Sequence, residues 1–162
     1  MPFKPESFDI IVARYVFHHL KSKARLIQQI YKLLKPGGRI QIVDISGQDR
    51  QGVRFCNQIH RLKTWGEVRP CWLVAEQSLT DSLLKAGFRL ADRHWHLSWV
   101  NTRQWVKESH ISIKRHDELC ELIKTRIAQY PALKSAFQVA AINGCLKLNL
   151  PILILNAVKM PG

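Results

Sequence analysis

Acidic residues are scarce in this chain: 12 Asp and Glu stand against 25 Lys and Arg in 162 residues, a formal charge of +13. An imbalance of that size has two readings, a surface for nucleic acid or another anionic partner, or a dispersed solvated face. The cations Lys21, Lys32, Arg50, Arg61, Arg93, Lys107 and Arg126 are scattered without a sustained run. That pattern favours the solvated face and argues against specific nucleic-acid recognition. Paired cysteines are missing too: Cys56, Cys71, Cys120 and Cys145 lie far apart and lack the close spacing of zinc ligands. Reduced, half-buried thiols are expected. No apolar run is long enough to cross a bilayer, since Leu146 to Val158 is interrupted by Lys147, Asn149, Pro151 and Asn156. No charged-then-apolar leader opens the sequence, so a cytoplasmic protein without a membrane contact is expected. Internal repeats and low-complexity linkers are also lacking.

What is present suffices for one domain, because 46% of the residues are apolar. Ile10 to Ala13 is an unbroken apolar run too short for a helix, and reads as a strand buried on both faces, as in parallel sheets. Ala24, Ile27, Ile30, Tyr31 and Leu34 then recur at helical spacing, with Lys23, Arg25, Gln28, Gln29 and Lys32 on the other side. Ser22 is placed to cap this helix, and Pro36-Gly37-Gly38 ends it and turns the chain into the apolar run Ile40 to Asp44. Strand, amphipathic helix and strand make a crossover unit, hence an α/β domain.

Further on, Val53 to Trp65 has a helical pattern, and Ser78-Leu79-Thr80-Asp81 has the form of a capping box opening a helix that Gly87 closes. Phe88 to Trp99 reads as a strand with Trp95, Leu97 and Trp99 on a core face. Asn101 is placed to cap a short helix around Trp105 and Val106, and Asp117 to start a longer one that Pro131 stops. A helix through Leu133, Phe137, Ala140 and Ala141, ending near Asn143-Gly144, and a central strand from Leu150 to Val158 complete the reading.

The sequence Phe8-Asp9, an apolar strand, Arg14 and His18-His19, followed by Leu34-Lys35-Pro36-Gly37-Gly38 and a strand ending in Asp44, resembles the second half of class I S-adenosylmethionine-dependent methyltransferases. The resemblance is to the methyltransferase type 11 group, similar to enzymes of ubiquinone and menaquinone synthesis. Pro2-Phe3 ahead of Phe8-Asp9 and the ending Ala157-Val158-Lys159 fit it as well. It implies a partial Rossmann-like methyltransferase sheet, the last four strands of the usual seven, with flanking helices in a single, N-terminally truncated domain over residues 1–162. It implies methyl transfer from S-adenosylmethionine to a small organic acceptor. The glycine-rich turn and the ribose-binding acid that such folds place after their first strands are not found, since Gly37-Gly38 precedes a strand instead of following one. By the family's strand order, the Ile10 to Ala13 strand has then lost a neighbour, so a partner chain at that edge, self-association there, or a true start upstream of Met1 is expected.

The resemblance places the backbone of Ala13, Arg14 and Tyr15 beside the methionine part of the cofactor. His18 is the candidate catalytic group, able to act as a base or to orient the acceptor; His19 is expected to bond backbone at a helix start. Asp9 and Asp44 are assigned to strand-end hydrogen bonding. His94 and His96 share a strand parity but have no third ligand by spacing, so no metal site is expected. Relatives carry an Asn followed by Leu-Arg-Asp-Pro-Ser-His-Val-Arg, whereas this chain has Asn57 and then Leu62-Lys63-Thr64-Trp65-Gly66-Glu67-Val68-Arg69, with Glu67 at the histidine position. A non-catalytic basic module binding nucleic acid or an anionic partner is the alternative reading.

Overall fold

The computed structural model describes residues 3–63, 72–73, 75–108, 113–143 and 145–161. Strand β1 (Phe8–Arg14), helix α1 (Lys23–Leu33) and strand β2 (Leu34–Ile45) form the expected crossover, with β1 and β2 parallel and Ile11 opposite Ile40. The helix hands over to the strand at Leu34. Gly37 takes a positive φ of 76°, and a Cβ on Gly38 would lie 2.8 Å from the Lys35 carbonyl oxygen and 3.2 Å from that of Asp9. The φ favours glycine at position 37, and the close backbone oxygens exclude a Cβ at position 38. Ser22 precedes α1 but makes no side-chain cap.

Beyond β2 come α2 (Arg50–Lys63), α3 (Glu76–Lys85) and the long strand β3 (Phe88–Asn101). Helix α3 starts before the Ser78 capping box: Ala75 precedes its first turn, and the Ser78 amide donates to the Ala75 carbonyl. Gly87 does close α3 with a positive φ of 96°, and Phe88 packs edge-on against Tyr31 with ring centroids 5.0 Å apart. Asn101 caps α4 (Thr102–Glu108) as expected, its Oδ1 accepting from the amides of Arg103 and Gln104 at 3.0 and 3.3 Å.

Helices α5 (Ile113–Gln129) and α6 (Ala132–Ala136) follow, then strands β4 (Ala140–Ile142) and β5 (Cys145–Lys159). The expected helix through Ala140 is thus cut short. Gln138 adopts a left-handed φ of 45°, and Ala140 to Ile142 turn back to pair with the start of β5. Of the expected end at Asn143-Gly144, Gly144 lies outside the described residues, as does the stretch Thr64 to Arg69 that carries Glu67.

The main sheet has the order β1-β2-β5-β3, with β5 antiparallel to both neighbours. This agrees with the last four strands of a methyltransferase sheet, with β4 as a short addition. Alternation divides β5 between two cores. Leu153, Leu155 and Ala157 pack with Ile27, Ile30, Leu79 and Leu83 of α1 and α3. Leu146, Leu148 and Leu150 face the other way and pack with Phe55, Ile59, Leu119 and Ile123 of α2 and α5.

The second face is covered only toward the carboxyl end of β2. Ile10 is 61% exposed and Val12 57%, so β1 is buried on one face, not on both. Beside Val12 a polar row crosses the bare face: Gln41 donates to Asn156 at 3.0 Å, and Asn156 to Asp92 at 2.6 Å. The expected Trp-lined core face of β3 is also only partial. Trp95 packs on the α1–α3 core, whereas Trp99 is 59% exposed.

Candidate functional site

Parallel strands bring their carboxyl ends to one side of the sheet, and the chain leaving β1 must turn above β2. Tyr15 makes that turn with a left-handed φ of 53°, and its amide donates to the Val43 carbonyl at 2.9 Å. A single 3-10 turn over Phe17–His19 follows, anchored by Phe17, which is buried in the α1–α3 core. The turn directs His18 down onto Asp44, near the end of β2.

Asp44 is 2% exposed and His18 7%. The Asp44 carboxylate accepts three hydrogen bonds: His18 Nδ1 donates to Oδ1 at 2.5 Å, the His18 amide to Oδ2 at 3.1 Å, and the Ile45 amide to Oδ1 at 2.8 Å. With Nδ1 carrying the proton toward Asp44, the neutral ring keeps its lone pair on Nε2. His18 lines a cavity of about 380 Å³ whose walls include Tyr15, His60, Trp105, Leu150 and Ile152. His60 projects from α2 with its ring centroid 6.0 Å from that of His18, packs edge-on against Trp105 at 5.2 Å, and has Nδ1 3.0 Å from the Cys56 carbonyl oxygen. A buried acid, an imidazole held by it, and a partly apolar chamber together can accept a proton from a bound small molecule.

The other sequence candidates fall as follows. Ala13 is buried toward the α1–α3 core, while Arg14 and Tyr15 stand exposed at the β1 edge, the guanidinium 5.2 Å from the Tyr15 ring centroid. The His19 ring lies tilted at 48° against that of His18, with centroids 4.0 Å apart. Asp9 pairs with Lys35 at the surface, far from Asp44 along the strands. His94 and His96 are exposed on β3, and among the described residues no group of three His, Cys, Asp or Glu is placed to hold a metal. Asn57 clamps the segment that passes the site: its Nδ2 donates to the Leu73 carbonyl and its Oδ1 accepts from the Leu73 amide, at 3.1 and 2.9 Å. Cys120 lies elsewhere, 3.5 Å from His116 Nε2. Burial pushes its thiol up from the ordinary value, which disfavours a thiolate nucleophile there.

Sequence reasoning missed the roles of Asp44, His60 and Trp105. A strand-ending acid is a usable signal for Asp44, but its pairing with His18 follows from the β1–β2 register. His60 carries no local signal at all.

A crossover of parallel strands with an antiparallel strand beside it, and a partly apolar chamber at the strand ends, defines a Rossmann-like α/β fold with a ligand-sized site. The chain belongs to the methyltransferase-domain family, whose profile matches residues 2–126, and so to the class I S-adenosylmethionine-dependent methyltransferases. It is 32% identical over 120 residues to the uncharacterized methyltransferase YcgJ of Bacillus subtilis, covering 74% of this chain and 46% of that protein. It is 36% identical over 114 residues to the uncharacterized protein YafE of Escherichia coli K12, covering 70% and 46%. The chain therefore spans about half the length of the curated relatives it matches. The fold agrees with a crystal structure of a Bacillus halodurans protein at a TM-score of 0.86 and 22% identity, covering 99% of this chain and 73% of the other. No described helix is long and apolar enough to cross a membrane.

Proposed function

We propose that these residues form the acceptor side of a methyltransferase that methylates a small organic molecule, with His18 as general base. The observation that supports this reading is the buried His18–Asp44 pair, whose histidine lines the 380 Å³ chamber. When bound, S-adenosylmethionine supplies an electrophilic methyl group on a sulfonium sulfur. His18 Nε2 takes the proton that the acceptor's nucleophilic atom gives up, and Asp44 holds the ring and stabilises the imidazolium that results. Trp105, Leu150 and Ile152 keep the chamber partly apolar and restrict water. Alignment of the nucleophile contributes as much as the base, and the walls supply it.

The residues present fit the cofactor in part. The Tyr15 turn, with Ala13 and Arg14, offers backbone at the strand end where the methionine portion would lie. No described residue forms a glycine-rich turn after a strand. This reading requires that half of the site to come from further polypeptide, and the bare sheet face and β1 edge around Ile10 and Val12 offer it a packing surface.

Two measurements test this. Calorimetric titration of S-adenosylmethionine into these 162 residues alone is expected to show no appreciable binding; tight one-to-one binding overturns the divided site. In the complete protein, His18→Gln is expected to lower kcat by about 10²- to 10⁴-fold with little change in KM. An unchanged kcat removes His18 as the base.

A further inference from the structure

A second cavity, of about 670 Å³, opens on a different face of α2 from His60. Five cations line it: Lys21, Lys23, Arg54, Arg61 and Arg126. No Asp or Glu is among its described lining residues. Arg54 and Arg61 lie seven positions apart on α2, two turns along one stripe, so the helix presents both guanidinium groups to the same space. Lys23 is 9% exposed, and its Nζ donates to the carbonyls of Leu20 and Trp72 at 2.8 and 2.7 Å. Arg126 donates from Nη1 to Gln129 at 2.7 Å, but its Nε is buried with no hydrogen-bond partner.

A solvated basic surface has none of these constraints. Here the Arg126 Nε–H is desolvated without an acceptor beside further cations, a cost that negative charge entering the cavity relieves. Guanidinium forks match the oxygens of a phosphate, and a dianion balances several cations at once. Trp72 and Tyr130 add aromatic surface to the same walls, enough to receive an organic group attached to that phosphate. The volume suits a small molecule.

We propose that this cavity binds the phosphate group of a small phosphorylated organic ligand, with Arg54, Arg61 and Arg126 as its direct contacts. The site is separate from the His18 chamber, and its occupancy is read by binding alone, whatever the outcome for methyl transfer.

The test titrates phenyl phosphate into the full chain at low salt, with phenylacetate, a short single-stranded oligonucleotide and anionic lipid vesicles as parallel arms. Saturable one-to-one binding of phenyl phosphate is expected, tighter than that of phenylacetate. Arg54→Gln and Arg61→Gln change exposed side chains and leave the fold intact by circular dichroism; together they are expected to weaken binding at least about tenfold. Arg89→Gln, on β3 and not among the cavity's lining residues, serves as the charge control and is expected to have no effect. Equal weakening by the control, no loss in the double variant, or binding of the oligonucleotide or vesicles without phenyl phosphate overturns the proposal.

Discussion

At the scale of single residues, Asp44 makes more of the hydrogen bonds at the candidate site than any position singled out from sequence. It satisfies three donors with two oxygens, and the two buried ones belong to His18. Truncation to Ala strands them in a place water reaches poorly. Asp44→Ala is therefore expected to destabilise the domain by roughly 2–4 kcal/mol, and Asp44→Asn by less, because the amide oxygen still accepts. Urea unfolding measures both; a loss below about 0.5 kcal/mol for the Ala variant removes Asp44 from its central position. His18 was a candidate in the sequence because the family resemblance and its place on the loop after the first strand both drew attention to it. Asp44 was not, because an acid ending a strand has an ordinary use in capping backbone, and nothing local distinguishes that use from holding an imidazole.

At the scale of elements, the crossover from β1 through α1 to β2 was legible because hydrophobic period and the Pro36-Gly37-Gly38 break agree. Cap chemistry was less dependable: Asn101 caps α4, while Ser22 and Ser78 make no side-chain cap. Helix starts are decided by where packing begins, and the α3 start is set by Leu79 and Leu83 reaching the core. The β1 strand shows what alternation adds. Ile11 packs on the α1–α3 core, while Ile10 points to the bare face. Made alone, the chain is expected to self-associate through that face and edge, and Ile10→Lys to shift it toward monomer while remaining folded. Ile11→Lys instead places a charge against the core and is expected to lower stability by several kcal/mol, roughly the cost of an unpaired buried ion after relaxation. Sedimentation of protein checked by circular dichroism separates the two; a monomeric unmodified chain rules out a missing cover over this face.

At the scale of the whole molecule, the chain has a charge of +13, and among the described residues the cations are divided between several places. Lys35 pairs with Asp9 and Arg93 with Glu76, Arg89 and Arg39 stand on the sheet, and five cations converge on the cavity beside α2. Binding to nucleic acid is accordingly expected to be weak, indifferent to sequence and largely abolished between 50 and about 200 mM salt, since only counterion release drives it. Fluorescence anisotropy with two unrelated oligonucleotides checks this, and a base preference that survives high salt contradicts it. The sequence by itself determined the fold class, the crossover, the family and the His18 candidate, because each rests on local period or on residues close together in the chain. Tertiary structure decided the rest. The partners of His18 are Asp44, 26 positions away, and His60 on another helix; the cations of the second cavity come from three separated segments; and the bare face appears only when alternate residues of four strands are laid side by side. Such sites depend on strand register and helix packing, which minimise exposed apolar area over the whole chain and leave no mark on any short stretch of it.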